Sequence, residues 1–206
     1  MLKILATLII VVGAGPAWAQ QPAPKAPYIA PVPSNAHWVV TIKPPGSEKQ
    51  VSSEVAREVV SVDTVKTGAT RQVTLTFSDN TTERFDHAGG YILTATPQGP
   101  QLIAAVENPP SYPFYSDGFL YSGGVSPESF VGVETFQGVE CFHYRTEVND
   151  VWISTETMLP VASKADGTMA YFQFLSAPTV PLALSPEKLA LLERQERAYK
   201  AFRDLR

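Results

Sequence analysis

LPVASKADGTMAYFQFL, residues 159–175, decides the fold class. Asp166-Gly167 is a two-residue hairpin turn, because both positions tolerate the positive φ that such a turn requires. Pairing the flanks about it puts Leu159 and Val161 on the same face as Phe172 and Phe174. Pro160, Lys164, Tyr171 and Gln173 fall on the other. Turn and alternation agree, so the segment is a β-hairpin with one apolar face.

The same period of two runs outward from Leu175 back to Ala36. Strands are expected near His37–Ile42, Val55–Val65, Thr70–Phe77, Glu83–His87, Tyr91–Thr96 and Gln101–Val106. A second group is expected near Phe130–Phe136, Val139–Val148, Val151–Thr155, Leu159–Lys164 and Met169–Leu175. No helical period interrupts them, which predicts an antiparallel meander. In Ser78-Asp79-Asn80-Thr81-Thr82 a three-residue loop, Asp79 to Thr81, pairs Leu75 with Phe85 and keeps the apolar set on one face. Asn149-Asp150, taken as the turn of the hairpin before it, sets His143 opposite Glu156 and Cys141 opposite Met158.

Other signals frame this core. Residues 1–19 carry one lysine, an apolar run and Ala17-Trp18-Ala19, the pattern of a signal peptide cut before Gln20. The run is short of the ~20 residues that span a bilayer. Residues 20–34, QQPAPKAPYIAPVPS, are expected to be a proline-rich linker. Residues 35–206 then form a single β-rich domain. Within it, residues 108–124 are an irregular stretch bearing Tyr112, Phe114, Tyr115, Phe119 and Tyr121. These rings either pin a long loop to the core or form a flap over a cavity. A helix is predicted at 185–205, capped by Ser185 with Pro186 at its first position. Its stripe of Leu191, Gln195, Ala198, Phe202 and Leu205, joined by Leu192 and Tyr199, needs a surface to cover, and the apolar sheet face is the expected one.

Charged residues make up 17% of the chain, hydrophobic ones 44%, and the net charge is −4. That describes a folded protein with no basic stripe for nucleic acid. The single cysteine, Cys141, excludes an internal disulfide, and Gln20 stands where a lipoprotein would carry its acylated cysteine. Cys141 and His143 share a strand face but are assigned to packing, as a free thiol and a polar cross-strand pair. Asp86-His87 is assigned to stabilising the Gly89-Gly90 turn, and His37 receives no role. No hydrolase, zinc, Walker or dinucleotide motif is present. No catalytic residue, metal or cofactor is expected.

Residues 131–165, continued by the Asp166-Gly167 turn, read VGVETFQGVECFHYRT, then VWIS, then LPVASKADG. This succession of a Gly turn, a Trp-bearing strand and a Leu-Pro-Val strand resembles the periplasmic lipoprotein-carrier superfamily, the LolA/LolB-like proteins. The resemblance implies a strongly curved antiparallel sheet, an incomplete barrel, closed by helices over its hydrophobic side. Those carriers usually begin with a helix, whereas this one has a proline-rich start and a C-terminal helix. The expectation is an exported, non-enzymatic binding or carrier protein of the cell envelope, periplasmic or secreted. It would hold an apolar ligand such as a lipid or acyl chain under a helical lid. Tyr112, Phe114, Tyr115, Phe119, Tyr121, Leu192, Tyr199 and Phe202 are the candidate ligand contacts. Expected partners are a hydrophobic small molecule or lipid and an envelope protein, with no nucleic acid and no membrane span in the mature form. The alternative is a secreted interaction module that recognises protein or glycan through the loop at 112–121. An exported enzyme using His143 and its neighbours is the third, least favoured reading.

Overall fold

The computed structural model describes residues 24–25, 28–44, 57–105, 119 and 125–203, with the side chains of 103–105 and 202–203 outside the description. The expected leader at 1–19, four of the five loop rings and Leu205 lie outside these residues. Eleven strands follow in chain order: β1 (Asn35–Lys43), β2 (Val59–Thr67), β3 (Thr70–Phe77), β4 (Thr82–Ala88), β5 (Tyr91–Thr96), β6 (Gly99–Ala105), β7 (Phe130–Phe136), β8 (Val139–Arg145), β9 (Asn149–Ser154), β10 (Pro160–Ala165) and β11 (Thr168–Leu175). One helix, α1 (Pro186–Arg203), ends the described chain.

All eleven strands belong to one antiparallel sheet in the order β6-β5-β4-β3-β2-β1-β11-β10-β9-β8-β7, not closed into a barrel. Two meanders, β1 to β6 and β7 to β11, are joined at the centre where β1 pairs with β11. The mainly β class, the open sheet and the C-terminal helix match the sequence expectation.

Register sorts the side chains into two unlike faces. Phe174, Trp38, Thr64, Val73, Phe85 and Thr94 stand opposite one another in a row from β11 to β5. The next row on this front face is Phe172, Val40, Val62 and Leu75. On the back face the intervening row reads Gln173, Val39, Asp63, Thr74 and Arg84. Front residues such as Val40, Val62 and Val73 are buried, and each fully buried aliphatic side chain contributes about 1.5–3 kcal/mol.

The turns explain the registers. Asp166 and Gly167 take φ of 49° and 80°, and Ala162–Ala165 pair with Tyr171–Thr168 as expected. A bulge between Pro160 and Ala162, however, turns Val161 onto the back-face cluster of Trp152 and Ala162 and away from Phe172 and Phe174. The Ser78–Thr82 loop has the expected three residues but starts one residue earlier, at Ser78. Phe77 N–H donates to Thr81 O at 3.0 Å, and Phe85 faces Val73, not Leu75. Asp79 Oδ1 accepts from the Thr81 N–H at 2.9 Å, and Asn80 takes the left-handed region at φ 62°. The two-residue shift in register leaves each side chain on its expected face. The β8–β9 turn is also displaced, to Glu147-Val148, so His143 faces Trp152 and Cys141 faces Ser154. Thr146 closes that turn: its N–H donates to Asn149 O at 2.8 Å, and its Oγ1 accepts from Asn149 N–H at 3.0 Å.

Candidate functional site

The front face carries two apolar clusters. The larger is centred on Trp38, which is 4% exposed. Phe119 inserts between Trp38 and Phe174, with ring centroids 5.2 and 4.9 Å apart and interplanar angles of 89° and 83°. These are edge-to-face pairs, each worth ~0.5–1.5 kcal/mol beyond area burial. Phe119 belongs to the segment that joins β6 to β7, the two opposite edges of the sheet. It is nevertheless buried over the central strands β1 and β11, so this crossover lies on the front face at that point.

The second cluster, beside the first, comprises Val125, Tyr144, Val151 and Ile153, flanked by Tyr28, Ile29, Phe130 and Phe142. Ile29 packs on both clusters. The residues around Tyr28 to Val32 were read as linker, yet they pack on the sheet as an irregular strap. Ala30 N–H donates to Met158 O at 2.7 Å and ties the strap down. Tyr28 meets Tyr144 edge-on at 6.2 Å. Tyr144 is fully buried, and its hydroxyl has no hydrogen-bond partner among the described residues. Burial, with a smaller contribution from Tyr28, pushes its phenol up to about 12, so it is a neutral donor at physiological pH.

The helix lies elsewhere, which corrects the lid expectation. Phe85 is on the front face, so Asp86 and Ala88 alternate to the back, and Asp86 stands opposite Leu93. Leu192 packs on Ala88 and Leu93, with Leu184, Leu191 and Tyr91 around them. Lys188 Nζ reaches Asp86 Oδ2 at 2.5 Å, and Gln72 Nε2 donates to Asp86 Oδ1 at 2.9 Å. The chain arrives there along the end of β2, where Leu182 N–H donates to Thr67 Oγ1 at 2.8 Å. Helix α1 therefore covers the back of β4 and β5, while the front-face clusters are packed by Phe119, Val125 and the strap. From Glu193 to Ala201 its side chains are exposed, and the stripe through Gln195 and Ala198 covers nothing among the described residues.

Asp86 and His87 are both buried and face opposite sides of the sheet. The turn they were assigned to is made by Gly89 and Gly90, at φ 57° and 80°. Asp86 instead anchors the helix, and His87 stands opposite Arg71 on the front face. His37 Nε2 lies 2.9 Å from Asp63 Oδ1.

On the back of β7 to β9, His143 stacks on Trp152 at 5.0 Å between ring centroids. Its ring nitrogens face Glu134 Oε1 at 3.3 Å and Asp150 Oδ1 at 2.8 Å, and Trp152 Nε1 donates to Glu134 Oε1 at 2.5 Å. The Cys141 thiol is buried and pushed up by that burial, which makes it a poor nucleophile. Among the described residues no group of three His, Cys, Asp or Glu is arranged to hold a metal. Burial alone raises the Asp150 carboxyl, but hydrogen bonds from Arg145 and His143 outweigh it and hold the group below the ordinary carboxylate range. The stabilisation is present above the unfolded value of ~3.9 and lost as pH falls through the lower folded value. Arg145 is half-exposed, so Arg145→Ala is expected to cost only about 0.5–1 kcal/mol at pH 7. That difference should shrink as pH falls through the carboxylate range and vanish once Asp150 is protonated in both states, which a denaturation series against pH reads.

Of the candidate ligand contacts, the structure places Phe119 in the front core, Leu192 in the back cluster, and Tyr199 in solvent at 62% exposed. These three are not brought together. Tyr112, Phe114, Tyr115, Tyr121 and the Phe202 side chain lie outside the described residues. Sequence reasoning missed Tyr28, Ile29 and Tyr144. The signal for the first two was a Tyr-Ile pair interrupting the prolines.

Three solved structures share features of this fold. Lipoprotein LppX of Mycobacterium tuberculosis aligns over 74% of this chain and 90% of its own, at 11% identity and a TM-score of 0.39. LprF of Mycobacterium bovis aligns over 75% and 90%, at 12% identity and a TM-score of 0.39. The LolA superfamily protein NE2245 of Nitrosomonas europaea aligns over 74% and 90%, at 8% identity and a TM-score of 0.34. No family model and no curated protein matches the chain.

Proposed function

We propose that the protein is an exported, non-enzymatic binding or carrier protein of the cell envelope that holds an apolar ligand, such as a lipid acyl chain, on the front face of its sheet. Residues 1–19 are its leader, removed before Gln20, and its single domain takes in the strap at 28–32 together with residues 35–206. The observation that carries the proposal is the asymmetry of the central sheet between β11 and β4; towards its two ends the back face carries apolar clusters of its own, around Trp152 and Leu93. The row from Phe174 to Phe85 is apolar but for Thr64, and the row behind it is polar but for Val39. In the described residues the front clusters are packed by single side chains on irregular segments, Phe119, Val125, Ile29 and Val32. The strap yields at lower cost than a packed helix or second sheet, because among the described residues one backbone hydrogen bond, from Ala30 N–H to Met158 O, ties it down. The cover is thus assigned to the strap, Phe119 and Val125, with α1 as a back-face brace. No helix among the described residues is long and apolar enough to cross a membrane.

The test is mass spectrometry of solvent extracts from protein recovered without detergent, together with titration by a fluorescent acyl probe. Co-purified lipid and saturable binding displaced by unlabelled acyl chains are expected. Clean protein with no saturable binding refutes the proposal. The alternative, an exposed aromatic recognition loop, loses one of its five rings, because Phe119 is 3% exposed.

A further inference from the structure

A buried hydroxyl without an acceptor is a costly group. Its desolvation costs roughly 1–3 kcal/mol, and a phenylalanine fills the same space without that cost. Tyr144 is such a group: fully buried, in the front-face cluster, with no partner for its hydroxyl among the described residues. The described side chains around it offer none. Val125, Val151, Ile153, Ile29, Phe130 and Phe142 are apolar, and Tyr28 presents a ring at 6.2 Å. The residues packed over it come from the strap and from the chain before β7, the irregular segments assigned above to the cover. Among the described residues, the one buried side-chain polar atom without a partner on this half of the front face therefore sits beneath the residues that must lift to admit a ligand.

We propose that the Tyr144 hydroxyl is the polar anchor of the bound molecule, donating a hydrogen bond to a neutral acyl carbonyl, so that the ligand is an acyl ester or amide and not a bare hydrocarbon or a free fatty acid. The proposal rests on the reading of the front face as the ligand surface and adds the chemistry of the ligand's polar end. Ester and amide share the acceptor oxygen that the phenol needs. A free carboxylate would also accept, but none of the described side chains in this cluster carries a compensating positive charge, and burying it there would be strongly unfavourable. A hydrocarbon would leave the hydroxyl unpaired in the complex as well.

The experiment compares wild type and Tyr144→Phe, as delipidated full chains, with three fluorescent probes of equal chain length: a methyl ester, the free acid and the hydrocarbon. Wild type is expected to bind the ester most tightly. Tyr144→Phe should weaken ester binding by about three- to tenfold, the range of one net hydrogen bond, and leave hydrocarbon binding unchanged. The thermal midpoint of the free variant should be equal to or above that of wild type, since the unpaired hydroxyl is gone. If ester and hydrocarbon bind wild type equally, or the variant loses both alike, the anchor is refuted while the front-face reading stands. A fall in the free variant's midpoint with unchanged ester affinity shows a structurally paired hydroxyl and also refutes it. If no probe binds wild type, the front-face reading itself fails and the anchor falls with it.

Discussion

Phe119→Ala is expected to destabilise the protein by about 3–5 kcal/mol and to raise binding of a hydrophobic dye sharply. The ring is 3% exposed and meets Trp38 and Phe174 edge-on, so its removal leaves a void bounded by two large aromatics over the central strands. Part of the cost is cavity and part is the loss of two aromatic pairs. Void and lost anchor act on different things. The void weakens the whole sheet, whereas the lost anchor frees the crossover from one of its two described holds on the front face, the other being Val125. Urea denaturation with dye titration separates the two. A lowered midpoint with little added dye points to a collapsed void, and strong dye binding below the transition points to an opened cover. A loss under about 0.5 kcal/mol with unchanged dye binding would show that Phe119 is not the fastening this geometry makes it.

Most strands were legible because period-two alternation is a local property. Asp166-Gly167 gave the right register, since a two-residue turn with both φ positive leaves only one pairing. The β8–β9 turn was misread because Thr146 supplies hydrogen bonds that favour Glu147-Val148, a side-chain effect that outweighs the Asn149-Asp150 propensity. At Ser78–Thr82 the loop length was right and its position wrong, again through a side chain, Asp79 bonding to Thr81. Faces survived both errors, because each shift in register was even.

The site was less legible than the fold. Helical period identifies a stripe on α1 but cannot choose which face of a sheet it meets. A signal was available in β4 and β5. Phe85 through Ala88 are all buried, as are Ile92 and Leu93, so alternation fails there and both faces must be covered. The strap was hidden by its prolines, which exclude strand pairing but do not exclude packing by Tyr28 and Ile29. Tyr144 was legible only as one apolar position in a strand. That its hydroxyl lacks a partner is a tertiary fact.

Lys188→Met should cost about 3–5 kcal/mol if α1 stays docked, because Asp86 is then left as a buried carboxylate with only Gln72 to bond it. Asp86 and Lys188 are 7% and 11% exposed, so the pair is not a surface ion pair of negligible worth. The helix has a second option, which is to leave. Undocking hydrates Asp86 and caps the cost at the free energy of burying Leu192 and the half-buried Leu184 and Leu191. Hydrogen exchange distinguishes the outcomes: the first two turns of α1 lose protection together only if the helix undocks. Lys188→Met combined with Asp86→Leu should recover most of the loss, since replacing both partners removes the stranded charge. If the single change costs less than about 1 kcal/mol and helix protection is unaltered, the pair does not hold α1. The same register argument makes truncation before Ser185 informative. It should uncover Ala88, Tyr91 and Leu93 on the back, a small patch, and leave the cluster around Trp38 covered. Dye binding should then rise far less than in Phe119→Ala, which is the order expected if the crossover, and not the helix, is the cover.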